Sequence, residues 1–295
     1  MSALPQKRRR VVSAESQNLG EWPLPADGME KLAIDDSSFL AEFPRLRCSR
    51  GCGKKHKHFC CECGSRLEHE LSERIPRVSL PVRLDIVHHP HEKKSKSTAV
   101  HALTLAPPEQ VRWMEYDSDF RADDWSPENT LLLFPSDDAT PVHELSDDEI
   151  ANVKTLVVVD STWFQCGGIL ANKQLQSLKK VKFAAQKTLF WRHQSNASDY
   201  HLATIEAIYY VMRALHLRKH GSYAGEQDNL LFFFKYYYDL IQQRYSKNAS
   251  LRLHSHLPQD YIRARAEASS TSAAASNEKK RSRTEPATET DTPGD

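Results

Sequence analysis

The chain has 295 residues with 40 Lys and Arg against 39 Asp and Glu, so its net charge of +1 creates no global positive field. No apolar run approaches the roughly 20 residues that span a bilayer, and no apolar stretch follows the basic run at residues 7–10 as a secretory signal would require. We therefore expect a soluble intracellular protein without a membrane partner, built around one main core.

The first 70 residues divide into two parts. Residues 1–44 are polar and proline-containing without a sustained apolar period, which predicts a disordered region with at most a short helix near residues 29–40. Residues 45–70 form a cysteine-rich module, since five of the six cysteines fall between residues 48 and 63. In a reducing compartment, such crowding indicates a metal site, not disulfides.

Residues 71–250 have the pattern of an α/β domain. Short apolar runs predict strands at residues 81–89, 131–134, 155–159 and 187–191, with weaker candidates at 101–105 and 111–116. Helical spacing of apolar residues predicts helices at 168–178, 200–217 and 229–245. This alternation favours an α/β sandwich with a mostly parallel sheet. The tail at residues 263–295 has almost no large apolar side chain, which predicts disorder.

Two pairs of cysteines in the module have spacings suited to zinc. Cys48 and Cys52 form the first pair and Cys60 and Cys63 the second, with Cys61 as a competitor for Cys60. Four thiolates satisfy the tetrahedral preference of Zn²⁺ without a large core, so we expect a structural zinc-knuckle module. The alternative is a set of unligated cysteines in a linker. The basic side chains around them are either phosphate contacts or a solvated surface; they are Arg45, Arg47, Arg50, Lys54, Lys55, His56, Lys57 and His58.

A carboxylate follows the most apolar of the predicted strands. Asp160 comes directly after the run at residues 155–159. Ligands of open α/β sheets collect at the carboxyl ends of strands, so Asp160 is a candidate site residue. A plain helix N-cap is the other interpretation of such an Asp.

The segment Asp160, Ser161, Thr162 and Trp163 resembles the D-x-T-W signature of the DTW-domain family, particularly its eukaryotic type 1 members. Further matching blocks lie between about residues 45 and 245: the paired cysteines, residues 75–81, 84–92, 96–99, 132–135, 190–194, 202–210 and 228–233. The chain departs from the family pattern in the three-residue spacing of the first cysteine pair and in Ala203, where a serine is common.

The resemblance implies a SPOUT-like domain whose C-terminal knot forms a pocket for S-adenosylmethionine. It also implies a reaction: transfer of the 3-amino-3-carboxypropyl group from S-adenosylmethionine to N3 of a tRNA uridine, with release of 5′-methylthioadenosine. Asp160 is then either the general base for the uracil N3–H or the anchor of the substrate's amino group or sulfonium. Trp163 is a pocket wall, a stacking surface for a flipped base, or ordinary core.

Given this resemblance, six further positions are candidates for S-adenosylmethionine binding. Backbone N–H groups after a strand would approach the adenosine, and Arg192 would pair with the substrate carboxylate, a phosphate or a surface acid. A helix N-terminus would supply Thr204 and Glu206, although Glu206 also suits a simple cap. The six residues are Phe134, Pro135, Ser136, Arg192, Thr204 and Glu206.

Other interpretations remain open at this point. The chain fits a SPOUT-type RNA methyltransferase, or a non-catalytic zinc-containing RNA-binding adaptor. The histidines His88, His89 and His91 suit a solvated loop or an RNA contact better than a metal site. The aromatic stripe at residues 232–238 suits helix core, with a homodimer interface as the alternative. Basic runs at residues 7–10 and 279–283 indicate nuclear import, so we expect the nucleus, alone or with the cytoplasm.

Overall fold

The computed structural model describes residues 12–13, 28–117, 120–162, 165–183, 186, 188–190 and 201–248. Contacts divide the chain into two units, one of Met1–Phe190 with Asn196–Tyr237 and one of Trp191–Ser195 with Tyr238–Asp295. The described part of the second unit, residues 238–248, contains the C-terminal turns of the last helix. Among the described helices, none has the length and apolarity that a membrane crossing requires.

Ten strands and six α-helices are found in the described residues. The strands are β1 (Val12–Ser13), β2 (Leu46–Arg47), β3 (Lys55–His56), β4 (Arg83–His88), β5 (Val111–Glu115), β6 (Thr130–Leu133), β7 (Thr140–Pro141), β8 (Thr155–Asp160), β9 (Lys179–Lys182) and β10 (Ser222–Tyr223). The helices are α1 (Val100–Leu105), α2 (Asp147–Asn152), α3 (Cys166–Leu170), α4 (Lys173–Gln176), α5 (Thr204–His220) and α6 (Phe232–Lys247).

Six strands form one sheet in the order β5-β4-β8-β6-β9-β7, and all of its pairings are parallel. The prediction of an α/β fold with a mostly parallel sheet is therefore confirmed. Strands β4, β6 and β8 occupy the middle and are almost entirely buried, which explains their continuous apolar runs. Two antiparallel pairs, β1 with β10 and β2 with β3, lie outside this sheet.

Apolar side chains cover both faces of the sheet. Val87, Leu132 and Val157 belong to a core cluster that includes Trp125 and Leu175. Leu84, Ile86 and Leu156 alternate with these positions along the strands and are fully buried as well. The aromatic run of α6 also belongs to the core, since Phe232, Phe233 and Phe234 have no exposed surface. Their burial agrees with the prediction that these residues form the core-facing part of a helix. The three rings are therefore not available for a dimer interface.

Several predicted elements differ from the structure. Residues 101–105 lie in helix α1, not in a strand, because a short run buried on nearly every side has no distinguishing period. The helix predicted at 168–178 is divided into α3 and α4, since the Asn172 side chain accepts from the backbone N–H groups of Gln174 and Leu175 and starts a new helix. Residues 188–190 are not a strand. Strand β9, rich in lysine, was not predicted.

Residues 28–44, predicted as part of a disordered region, are folded. Their side chains Met29, Phe39, Leu40 and Phe43 are buried. The Ala33 N–H donates to Asp228 Oδ2 at 2.7 Å and thereby ties this segment to the chain before α6. Burial of four large apolar side chains offsets the entropy of ordering the segment.

Candidate active site and candidate metal centre

The carboxyl ends of β4 and β8 lie side by side at the same edge of the sheet. His88 ends β4, Asp160 ends β8, and the two residues are direct partners in the register of the strands. From this point the chain continues from β4 to the edge strand β5, and from β8 to β9 on the other side of the sheet. Such a reversal in strand order opens a crevice that binds ligands in parallel α/β sheets.

The Asp160 carboxylate is buried and accepts a hydrogen bond at each oxygen. Its Oδ2 lies 2.9 Å from His88 Nδ1, and its Oδ1 accepts from the Thr204 hydroxyl at 2.7 Å. Only 5% of the Asp160 surface is exposed, and only 1% of His88. Hydrogen bonds between the three side chains therefore connect the end of β4, the end of β8 and the first turn of α5.

The partners of His88 require a protonated imidazole. Its Nδ1 faces the carboxylate of Asp160, and its Nε2 lies 3.1 Å from the carbonyl oxygen of Glu92, so both nitrogens face acceptors. Burial lowers the pKa of His88, but the hydrogen bond and the charge of Asp160 raise it by more, and the resulting pKa is above the ordinary value. The pair is thus an imidazolium with a carboxylate.

A cavity of about 630 Å³ opens beside these three hydrogen-bonded residues. Strands β6, β8 and β9 contribute their carboxyl ends, and α3 and α5 contribute their N-terminal turns. The lining is mainly apolar with a few polar groups, the usual character of a small-molecule site. It comprises Leu133, Phe134, Pro135, Val158, Val159, Ser161, Cys166, Lys182, Phe183, Gln186, His201, Leu202, Thr204 and Ala207.

The structure places the predicted site residues unevenly around the cavity. Phe134, Pro135, Ser161 and Thr204 line it, whereas Asp160 reaches it through Thr204. Ser136 and Thr162 are neighbours of lining residues in the sequence but are not part of the lining. The Ser136 N–H donates to the Phe134 carbonyl, and the Thr162 carbonyl accepts from the Cys166 N–H at the start of α3. Trp163 and Arg192 lie outside the described residues.

Glu206 is fully buried but does not line the cavity. Its carboxylate accepts from the N–H groups of Leu189 and Ala203 and from the Thr188 hydroxyl, at 2.9, 2.8 and 2.7 Å. Burial raises the pKa of Glu206 to about 7, despite these bonds. Glu206 therefore caps α5 and joins its first turn to residues 188–190. Of the two interpretations given for this residue, the structure agrees with the helix cap.

Sequence reasoning missed several residues of the lining. Among the described residues, Lys182 is the only lysine or arginine that lines the cavity, and its Nζ donates to the Ser136 carbonyl at 3.3 Å. It lies at the end of β9, a strand whose alternation of lysines with Val181 is a weak signal. Cys166 and His201 also line the cavity without belonging to any motif, and Leu202, the first residue of the matching block at 202–210, was not singled out as a site residue.

The four predicted zinc ligands meet at one point. The Sγ atoms of Cys48, Cys52, Cys60 and Cys63 all lie within 4.8 Å of one another, with 3.4 Å between Cys52 and Cys60 and 3.9 Å between Cys48 and Cys63. Four sulfurs bound at about 2.3 Å from one Zn²⁺ would have a similar spread. Cys61 is outside the group, and its Sγ lies 3.5 Å from His56 Nδ1.

Backbone geometry supports the half of this cluster that contains Cys60 and Cys63. The Cys63 N–H points to the Cys60 Sγ at 3.4 Å, and the Gly64 N–H donates to the Cys60 carbonyl at 2.8 Å. Gly64 has a φ of 66°, and a Cβ at this position would lie 2.4 Å from the Cβ of Leu103 in α1. A glycine is therefore required both for the turn and for the close approach of the cluster to α1.

Two of the basic residues of the module fit neither alternative, phosphate contact or solvated surface. His56 is buried, with its Nε2 near the sulfurs of Cys52 and Cys60. His58 is buried between the Leu40 carbonyl and the Tyr237 hydroxyl, and burial lowers the pKa of His58 to about 4. The arginines at 45, 47 and 50 and the lysines at 54 and 55 are exposed.

Comparison with known proteins gives a consistent result. The chain matches the DTW domain family over residues 57–242. It is 33% identical over 238 residues to tRNA-uridine aminocarboxypropyltransferase 1 from Xenopus tropicalis, which covers 67% of this chain and 79% of that protein. With the Homo sapiens protein of the same name it shares 32% identity over 240 residues, covering 67% and 77% of the two chains.

A solved structure, the SAM-dependent rRNA:acp-transferase Tsr3 from Vulcanisaeta distributa, aligns with 56% of this chain and 82% of its own. The TM-score is 0.36 and the sequence identity is 16%. A likeness of this degree adds nothing to the assignment of the fold.

Proposed function

Because the chain belongs to the DTW domain family, we propose that it transfers the 3-amino-3-carboxypropyl group of S-adenosylmethionine to N3 of a tRNA uridine. The observation that carries this proposal is the cavity at the carboxyl ends of β6, β8 and β9. Thr204 lines this cavity, and its hydroxyl donates a hydrogen bond to Asp160 of the D-x-T-W segment. Its relatives of about 32% identity are named for this transfer to tRNA uridine.

The cavity suits the two ends of the proposed donor. Its apolar wall, which includes Leu133, Phe134 and Val158, offers a surface for the adenosine. Lys182 supplies a cation for the donor's carboxylate. The Thr204 hydroxyl donates its hydrogen to Asp160, so its lone pairs are left to accept from the donor's α-ammonium group.

The bonding of Asp160 favours the anchoring role over the general-base role. Both of its oxygens already accept hydrogen bonds, and 5% of its surface is exposed, so a uracil N3–H has no direct access to it. We therefore propose that Asp160, paired with the His88 imidazolium, fixes Thr204 against the donor. Positioning of two substrates in reactive geometry supplies a large share of the rate in such reactions.

The bonds exchanged in the proposed reaction are simple. Uracil N3 loses its proton to solvent and forms a bond to the methionine Cγ of the donor. The bond from Cγ to sulfur breaks, and its electron pair remains on sulfur, which leaves neutral 5′-methylthioadenosine. The positive charge of the sulfonium disappears during this step, so an apolar cavity favours product formation over the charged ground state.

Two structural proposals accompany this function. We propose that the four cysteines bind one Zn²⁺ and that this ion has a structural role, because four thiolates leave no open coordination position. The family resemblance also supports a SPOUT-like knotted chain path, which a crystal structure with a bound donor analogue would test.

Mass spectrometry of tRNA nucleosides tests the proposed reaction. Purified protein is incubated with S-adenosylmethionine and tRNA that lacks the modification, with Asp160→Asn in parallel. We expect a uridine that is heavier by one aminocarboxypropyl group, an equal amount of 5′-methylthioadenosine, and a large loss of both in the variant. A methylated base with S-adenosylhomocysteine would move the protein to the SPOUT-type methyltransferases. Unmodified tRNA with unchanged donor would leave the RNA-binding adaptor as the explanation.

We also propose a nuclear location and a homodimer for this protein. The basic runs at residues 7–10 and 279–283 lie outside the described residues and support a nuclear location by their composition alone. A fluorescent fusion with and without these runs tests this location. A homodimer is tested by light scattering during size-exclusion chromatography.

A further inference from the structure

Two segments of this chain are rich in basic side chains. Residues 45–58 contain six lysines and arginines and no acid, and residues 89–97 contain three lysines and one glutamate. The whole chain, by contrast, has a net charge of +1. Lys93, Lys96 and His91 are exposed in the second segment, which we name the β4 loop (residues 89–97).

The β4 loop is attached directly to the end of the catalytic strand. The His89 N–H donates to the Asp160 carbonyl at 3.1 Å, and His88 Nε2 donates to the Glu92 carbonyl at 3.1 Å. Hydrogen bonds from Lys96 N to Lys93 O and from Ser97 N to Lys94 O close turns within the loop. The backbone of the loop is therefore held beside Asp160, with Lys94 paired to Glu115 at 2.7 Å and with Lys93 and Lys96 exposed.

The cysteine module adjoins the β4 loop. Glu62 of the module pairs with Lys54 at 2.6 Å. Helix α1, which follows the loop, contacts the module through the close approach of Leu103 to Gly64. The module therefore packs against α1, the helix that follows the β4 loop.

We infer that the β4 loop and the exposed basic residues of the module form one surface that binds the phosphate backbone of the RNA substrate. The inference rests on the proposed function, which requires a tRNA uridine at the carboxyl ends of β4 and β8. Lysines act as point charges toward phosphate and carry no base specificity, so the surface sets the position of the RNA and leaves the choice of base to the cavity edge.

The experiment measures tRNA affinity without the donor, by fluorescence anisotropy at several salt concentrations. The test variant is Lys93→Gln/Lys94→Gln/Lys96→Gln, with Lys55→Gln for the module. Lys154→Gln is the matched control, because this exposed lysine precedes β8 at the end of the sheet opposite Asp160. Melting temperature and calorimetric S-adenosylmethionine binding verify that each variant is folded.

We expect the triple variant to lose about tenfold or more in tRNA affinity, with a salt slope reduced by about one for each phosphate contact removed. Lys55→Gln shows a smaller loss, and Lys154→Gln behaves as wild type. Unchanged tRNA affinity in the folded triple variant overturns the inference, as does a wild-type protein that does not bind tRNA. Equal competition by polyglutamate at matched charge would assign the surface to acidic partners instead.

Failure of the proposed function gives a different pattern. If wild-type protein binds tRNA through these lysines but yields no modified uridine, the RNA surface stands and the transferase assignment falls. If a modified uridine forms with unchanged efficiency in the triple variant, the transferase assignment stands and the surface falls.

Discussion

Thr204 and Asp160 join the first turn of α5 to the end of β8 through a hydrogen bond of 2.7 Å. The bond connects Thr204, which lines the cavity, to Asp160, which is buried. Replacement of Thr204 by valine keeps the shape of the side chain but removes the hydroxyl and leaves one Asp160 oxygen without this donor. We expect transfer activity to fall by about 10–100-fold, which corresponds to roughly 1.4–2.7 kcal/mol.

Thr204→Ser is the matched control, since it retains the hydroxyl and is expected to keep most of the activity. Initial rates of 5′-methylthioadenosine release measure both variants. Equal activity of the valine and wild-type proteins would show that the hydroxyl has no part in donor binding or transfer.

The His88 imidazolium makes the folded state sensitive to pH. The pKa of His88 is raised above its ordinary value of about 6.5, so the paired form stabilises the fold fully below that value and loses this contribution as pH rises through the folded pKa. We expect wild-type protein to lose more stability between pH 6 and pH 9 than His88→Asn does. Chemical denaturation across this range provides the measurement, and parallel curves for the two proteins would contradict a charged His88.

Lys182 is expected to determine affinity for the carboxylate of the donor. Lys182→Gln should weaken S-adenosylmethionine binding by about tenfold while leaving the melting temperature almost unchanged, because one charge-assisted hydrogen bond to the ligand is lost. Lys180→Gln, on the same strand but paired with Asp138, is the control. Methylthioadenosine lacks the carboxylate, so its affinity should be insensitive to either change. A parallel loss for both ligands would refute the assignment.

The cysteine cluster predicts one zinc ion per chain. Cys60→Ser should release the ion and lower the melting temperature, because Cys60 is fully buried among the other three ligands. Cys61→Ser should retain it, since Cys61 lies outside the group. Metal content by mass spectrometry after dialysis distinguishes the two variants. Zinc retained by Cys60→Ser, or lost from Cys61→Ser, would require a different ligand set.

Sequence patterns were informative where one local signal dominated. The consecutive aliphatic residues of β8 placed Asp160 at a strand end, and the cysteine spacing identified the four residues that cluster. The pairing of Asp160 with His88 was not predictable in this way, because it depends on the register between strands separated by about 70 residues in the chain. Lys182 was missed for the related reason that β9 is short and charged, and its strand character comes from neighbouring strands.

The cysteine module and the main domain cannot be treated as separable pieces. Arg66 of the module donates to the carbonyls of Thr104, Ser72, Ile75 and Pro76, which all lie beyond the boundary expected near residue 70. A shortened version beginning at residue 71 would leave these carbonyls, and the face of α1 under Gly64, open to water. Versions intended for crystallisation or expression should therefore begin before residue 28, where the first packed segment starts.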